Sequence, residues 1–209
     1  MSSRTNFLVV ISSPSGGGKS TLVAALLERV PNTRLSVSYT TRPPRSHEVN
    51  GKDYTFISRE EFERLREQGE FLEWAEVFGN LYGTSRRAIG EILASGCDAI
   101  LDIDVQGAAQ IRRAVADAVS IFILPRSFSV LKQRLIVRGT ETPAALERRL
   151  QVARQEVLRY TEFQYVVIND ELEEACKAVE SVVRAERQKR YRQEQEARVI
   201  LQTFQKGSI

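Results

Sequence analysis

Apolar residues in this chain come in short unbroken runs, separated by stretches where they recur at helical spacing. The runs Phe7-Leu8-Val9-Val10-Ile11, Ala99-Ile100-Leu101-Asp102-Ile103-Asp104, Ser120-Ile121-Phe122-Ile123-Leu124 and Tyr165-Val166-Val167-Ile168 read as strands buried on both faces. Leu22, Val23, Leu26 and Leu27 form a helical stripe after the first run. Further helices are predicted over residues 85–94, 107–115, 127–137 and 144–159, with a last one beginning near Leu172. Strands alternating with helices predict an α/β fold, a parallel sheet covered on both faces. One stretch breaks the rhythm. Leu35-Ser36-Val37-Ser38, Asp53-Tyr54-Thr55-Phe56-Ile57 and Phe71-Leu72-Glu73-Trp74-Ala75-Glu76-Val77 are short strands, the last two flanking a helix over residues 59–68. The last two, with that helix, predict a small unit inserted after the first strand and helix. Residues 186–196 are nearly all charged or Gln and are expected to be the solvated continuation of the last helix.

Between the first strand and the first helix lies Ser12-Ser13-Pro14-Ser15-Gly16-Gly17-Gly18-Lys19-Ser20-Thr21. Strand, glycine-rich loop and helix, in that order, form the context of a phosphate-binding loop. Glycines let the backbone take positive φ and approach phosphate oxygens closely, so that the amides point inward. Lys19 can reach the β and γ phosphates, Ser20 can offer a hydroxyl to Mg²⁺, and the helix N-terminus adds partial positive charge. Ser13 stands where the G-x-x-x-x-G-K-[ST] pattern has its first glycine, so that turn must be one a small non-glycine residue adopts.

Composition narrows the picture. The chain has 209 residues, 42% hydrophobic and 27% charged, enough for one domain with a real core and a small insertion. A net charge of +3 with dispersed basic residues fits small polyanions and calls for neither nucleic acid nor a membrane surface as partner. Cys97 and Cys176 are too few and too far apart for a metal site or a disulfide framework, and are expected to be buried thiols in a reducing compartment. No apolar run approaches a membrane span and no signal-peptide core precedes the first strand, so a cytoplasmic protein is expected.

Three further clusters carry chemistry. Asp102, at the C-terminal end of an apolar strand, is predicted on the ligand-binding edge of the sheet, beside the Mg²⁺ that Ser20 helps to hold. Strand alternation would put Asp104 on the same face, unless it caps the helix starting near Val105. Arg134 and Arg138 are four apart on one helix face and can both point into a cleft at phosphate, with Arg149 beyond them. Arg42 and Arg45 flank Pro43-Pro44, an extended segment rather than a helix face.

Taken together, Ser13-Pro-Ser-Gly-Gly-Gly-Lys-Ser-Thr21, Ser36-Val-Ser38-Tyr-Thr-Thr-Arg42-Pro-Pro-Arg45, Gly51-Lys-Asp-Tyr54, Phe71-Leu-Glu73-Trp, Phe78-Gly-Asn80-Leu-Tyr82-Gly-Thr84, Leu101-Asp-Ile-Asp104 and Val167-Ile-Asn169-Asp170 resemble guanylate kinase, in that family's order. The resemblance implies a P-loop nucleoside-monophosphate kinase fold over residues 5–185. Its core would comprise residues 5–37, 85–125 and 151–185, with a mixed α/β GMP-binding subdomain at 38–84, a helical lid at 126–150 and a charged helical extension at 186–209. It implies transfer of the γ-phosphoryl of MgATP to GMP, and to dGMP, giving ADP and GDP. By similarity, residues 13–21 (Ser13, Pro14, Ser15, Gly16, Gly17, Gly18, Lys19, Ser20, Thr21) and Asn169 bind ATP. Ser38, Arg42, Arg45, Glu48, Tyr54, Glu73, Tyr82, Thr84 and Asp104 bind GMP. Lys19, Arg42, Arg134, Arg138, Arg149 and Asp102 serve the transfer itself. Leu81, where the family commonly has Tyr, would loosen the pocket wall.

The chemistry agrees with these implied roles. Guanine presents an N1–H beside a 2-amino group, and a carboxylate such as Glu73 accepts from both, whereas adenine offers an unprotonated N1. Ser38 and Thr84 hydroxyls would serve the O6 and N7 side, and Tyr54 and Tyr82 would join Arg42 and Arg45 on the 5′-phosphate. Alternatives from other classes are a non-catalytic guanylate-kinase-like binding module, against which the intact phosphate loop argues, and a kinase for another monophosphate, against which Glu73 argues.

Overall fold

The structure, a computed structural model, describes residues 4–137 and 142–206. A five-stranded parallel sheet forms the core: β1 (Leu8–Ser12), β2 (Thr33–Leu35), β7 (Asp98–Asp102), β8 (Val119–Pro125) and β9 (Tyr165–Asn169), in the order β2-β7-β1-β8-β9. Successive β1 side chains enter opposite layers, as a strand period of two requires. Val9 and Ile11 pack with Leu22 and Leu26 of α1 (Lys19–Arg29) and Val179 and Val183 of α7 (Leu172–Arg187). Leu8 and Val10 pack on the other face with Ile89 of α3 (Arg86–Ala94) and Ala108 and Ile111 of α4 (Val105–Ala114). Both faces are therefore apolar, which is why these strands read as continuous hydrophobic runs.

The inserted unit is a four-stranded sheet, β4-β3-β6-β5, built from β3 (Tyr39–Thr40), β4 (Thr55–Phe56), β5 (Phe71–Val77) and β6 (Asn80–Ser85), with α2 (Arg59–Glu67) against it. The expected strand at Leu35-Ser38 is corrected: β2 ends at Leu35 and pairing resumes at Tyr39, in the segment read only as extended. Strand β6 has no clear apolar pattern; its Gly83 leaves room for Phe62 and Phe71, each with an atom 3.0 Å from where a Cβ would stand. Leu81 also departs from expectation. It is 1% exposed, packed with Phe62 and Phe71 in this unit's own core, and so forms no part of a pocket wall.

Helices α5 (Phe128–Val137) and α6 (Pro143–Glu156) pack through Leu131, Leu135 and Ala153. Thr142 caps α6 by accepting from the Ala145 amide, and Pro143 fills the first turn, where its missing N–H costs nothing. The helix stops at Glu156 and tightens into a 3₁₀ segment, Val157–Glu162, short of the predicted end at residue 159. The solvated C-terminal continuation is corrected too. A break after Arg187 precedes α8 (Arg190–Lys206), and both Glu186 and Arg192 are buried. Arg192 donates to the Asp117 carboxylate at 2.8 Å and stacks 3.9 Å from the Phe7 ring centroid. Nearby, Asp98 receives Arg4 at 2.7 Å and Arg187 at 2.8 Å. Cys97 and Cys176 are buried free thiols, and among the described residues no helix is long and apolar enough to cross a membrane.

Candidate active site

Strand β1 lies between β7 and β8, so the loop after it opens at the point where the sheet's chain order reverses, the usual ligand crevice of such sheets. Residues Ser13 to Gly18 wrap this end. Gly16 (φ 87°) and Gly18 (φ 89°) hold left-handed conformations, and a Cβ on Gly18 would stand 2.3 Å from Asn169 Nδ2. Ser13 keeps an ordinary φ and is buried, its hydroxyl donating to the Pro14 carbonyl at 3.0 Å, which meets the requirement set by the missing glycine. Helix α1 then begins at Lys19 with no side-chain cap and no acidic residue in its first turn, leaving its amides open to an anion.

The pairing of Ile11 with Asp102 brings the end of β7 alongside the loop. Lys19 Nζ lies 2.7 Å from Asp102 Oδ1 and donates to the Ile103 carbonyl at 2.7 Å, while Ser20 Oγ donates to Asp102 Oδ2 at 3.1 Å. Asp104 is not on the strand, which ends at Asp102. It caps α4 by accepting from the Gly107 amide at 2.8 Å, so the alternation argument lapses, although its side chain still lines the cavity. Arg134 reaches the Gly17 carbonyl at 3.4 Å and the Asn169 carbonyl at 3.1 Å. Asn169 is buried behind the loop rather than on the cavity wall; its amide donates to the Gly17 carbonyl at 2.8 Å and so braces the loop. Arg149 enters the cavity from α6 with its guanidinium 5.1 Å from the Phe78 ring centroid, at the β5–β6 turn. Arg138 lies outside the described residues.

The inserted sheet supplies the facing wall of one cavity of about 570 Å³. Arg42 makes a bidentate pair with Glu48 (2.9 and 2.8 Å), donates from Nε to the Tyr82 hydroxyl at 3.3 Å, and lies 5.3 Å from the Tyr54 ring centroid. Glu48 also accepts from the Arg45 amide at 2.7 Å. The hydrogen bonds from Arg42 hold the Glu48 carboxyl down at about 2, and Arg42 is raised in turn. Glu48 thus sits behind the arginine pair, off the cavity wall, and aims it. Burial, followed by the charge of Asp102, pushes the Tyr54 phenol up to about 12.

Glu73 lines this wall, only 4% exposed, on the buried side of β5 where alternation asks for an apolar residue. Thr84 donates to its Oε1 at 2.6 Å. The Thr84 hydroxyl is therefore spent on the carboxylate, and Thr84 is off the cavity wall, contrary to the direct base contact expected of it. Burial raises the Glu73 carboxyl to about 7, with the Asp104 charge adding to the rise and the Thr84 hydroxyl opposing it. Ser38, Arg45 and Tyr82 line the same wall.

One residue escaped the sequence reading. Glu156, at the end of α6, accepts from the Ser15 backbone amide at 3.0 Å, so a carboxylate occupies one of the loop's anion-binding positions. Burial raises its pKa, with Asp104 adding to the effect and Lys19 opposing it. The signal was its spacing: seven residues from Arg149, two helical turns, puts both on one face of α6.

Two anion sites that share one cavity, without a histidine or cysteine between them, suit phosphoryl transfer from one phosphate-bearing molecule to another, in which charge and alignment do most of the work. With a phosphate loop on a parallel sheet and an inserted acceptor unit, the class is the P-loop kinases of nucleoside monophosphates. The family model for guanylate kinase matches residues 5–186, and the chain belongs to that family, whose members transfer phosphate from ATP to GMP. A guanylate kinase of Nitrosomonas europaea is 51% identical over 197 residues, 94% of this chain and 98% of its own length. One from Neisseria gonorrhoeae is 52% identical over 190 residues, 91% of this chain and 93% of its own. A crystal structure of guanylate kinase from Anaplasma phagocytophilum matches with a TM-score of 0.77 at 38% identity, over 92% of both chains.

Proposed function

We propose that this chain transfers the γ-phosphoryl group of MgATP to GMP on the residues described above. The observation that carries the reading is the buried Glu73 carboxylate lining the same cavity as the phosphate loop, Arg42 and Arg45. The loop amides and Lys19 take the β and γ phosphates, for which Lys19 exchanges its contact with Asp102. Arg42 and Arg45, with the Tyr54 and Tyr82 hydroxyls, take the acceptor phosphate, and Glu73 accepts from guanine N1–H and the 2-amino group, Thr84 holding it from behind.

An acceptor phosphate oxygen is already anionic, so no general base is required of the protein; alignment and charge compensation are. Arg134 and Arg149, entering from α5 and α6, supply that compensation at the transferring group. Arg149, stacked on Phe78, bridges the helical lid and the inserted sheet, where closure excludes water from the γ-phosphate. Mg²⁺ fits the Ser20 hydroxyl and the adjoining Asp102 carboxylate, hard oxygen donors next to the phosphate loop. Such an ion takes one or two protein oxygens and completes its shell with phosphate and water. The chemistry it supplies when bound is neutralisation of charge on the phosphate oxygens.

A coupled ADP-release assay with MgATP against GMP, AMP, CMP and UMP tests the reading. Turnover with GMP far above the others is expected. No turnover with GMP, or equal turnover with AMP, refutes it.

A further inference from the structure

Glu73 belongs to β5, an edge strand of the inserted sheet, and the unpaired side of that edge faces helix α4 of the core. Helix α4 treats it as a strand would. The Gln110 side-chain amide donates to the Trp74 carbonyl at 2.6 Å and accepts from the Trp74 amide at 3.3 Å, one residue from Glu73. One turn earlier on the same helix face is Gly107. A Cβ built there would stand 2.3 Å from Glu73 Oε2 and 2.9 Å from its Cδ, distances that real Cβ atoms do not tolerate.

The backbone does not explain this glycine. Gly107 has no left-handed φ, and its place in the first turn of α4, where its amide donates to the Asp104 cap, calls for no glycine. Gly90 in α3 makes the contrast, since a Cβ there meets nothing within 4 Å. What excludes a side chain at 107 is the carboxylate itself. We propose that Gly107 is a specificity-determining positioning residue: its missing side chain is the space that the Glu73 carboxylate occupies, while Gln110 fixes the strand that carries it. The inference rests on the reading of Glu73 as the group that recognises guanine. An added methyl meets the mobile end of a glutamate rather than backbone, so the fold survives and the carboxylate is what moves.

Gly107→Ala is expected to stay folded by circular dichroism, to raise KM for GMP about tenfold with a much smaller change in kcat, and to narrow the GMP to AMP ratio of kcat/KM. Gly90→Ala leaves all three unchanged. Gln110→Ala, which adds no bulk, raises KM for GMP in the same direction. In the Glu73→Ala background the effect of Gly107→Ala disappears, because the group it displaces is gone. An unchanged KM and ratio in folded Gly107→Ala overturns the proposal, as does an effect that persists undiminished without Glu73. A separate readout tests the displacement itself: carbon NMR of labelled glutamate should show the Glu73 carboxyl titrating lower in Gly107→Ala as it swings toward water, and no change refutes the contact. If Glu73→Ala alone leaves base discrimination intact, the guanine reading falls and the specificity role with it, whatever the NMR gives.

Discussion

Burial raises the carboxyl of Glu73 to about 7, yet it must be ionised to accept two hydrogen bonds from guanine. Catalytic efficiency with GMP should therefore depend on pH through this one group. With the midpoint at about 7, roughly a tenth of the sites are ionised at pH 6, so kcat/KM for GMP should be about tenfold below its alkaline plateau. The same proton governs stability with a fixed sign. The folded protein keeps it up to about 7 and the unfolded chain releases it near the usual 4.5, so stability falls as pH rises through that window, in total by about 3 kcal/mol. Glu73→Gln removes both effects. Its kcat/KM for GMP should be lower by one to two orders of magnitude at pH 8, where one charge-assisted contact worth about 1.5–3 kcal/mol is lost. Its thermal midpoint should exceed the parent's at pH 8; the difference should shrink to about a quarter by pH 5 and vanish below about pH 4, under the unfolded value. The assay is coupled ADP release at saturating MgATP from pH 5.5 to 8.5, run on both proteins. The phosphate of GMP itself titrates near pH 6, as phosphomonoesters do at about that value. That titration is common to both profiles and cancels in their ratio. Parallel profiles, with no additional limb near 7 in the parent, would refute the argument.

Lys19→Ala should fold as the parent does by circular dichroism and lose at least about 10³-fold in single-turnover transfer, since the ammonium stabilises charge on the moving phosphoryl group. Glu156→Gln keeps an oxygen to accept from the Ser15 amide but withdraws a negative charge from the loop. Calorimetry at pH 8 should show MgATP binding several-fold tighter, and weaker binding would mean that the carboxylate organises the loop. Arg192→Ala removes a buried guanidinium that pairs with the half-exposed Asp117 and stacks on Phe7, and should cost about 1–3 kcal/mol in urea denaturation without altering KM for either substrate.

The phosphate loop was legible because its chemistry is local: glycines, lysine and serine are consecutive, and the strand and helix around them announce themselves by period. Glu73, Arg42 and Arg45 are separated in sequence and gained roles only by resemblance, which grouped them but did not show that Thr84 and Glu48 stand behind them as supports. Strand β6 hid because Asn80, Gly83 and Thr84 become a strand only through their partners on β3 and β5. Glu186 and Arg192 read as solvent-facing charges, since a composition count cannot see that Lys189, Asp117 and Phe7 come to meet them. Glu156 was invisible for the same reason, its partner Ser15 lying 141 positions away.

Strand order has a consequence for how the molecule is made. β1 is synthesised first but sits between β7 and β8, so its first edge cannot be satisfied until residue 102 exists, nor its second until residue 125. At a synthesis rate of about 5–20 residues per second, that is a wait of roughly 5–20 s. Pairings this distant in sequence are also slow to close on their own. Through that interval the glycine loop hangs from an incompletely paired strand, and Asn169, which braces it, emerges later still. Ribosome-arrested chains ending shortly before β8 should fail to retain nucleotide, whereas chains with α7 fully emerged should hold it. The loop that reads first in the sequence is among the last parts of the protein to acquire a shape.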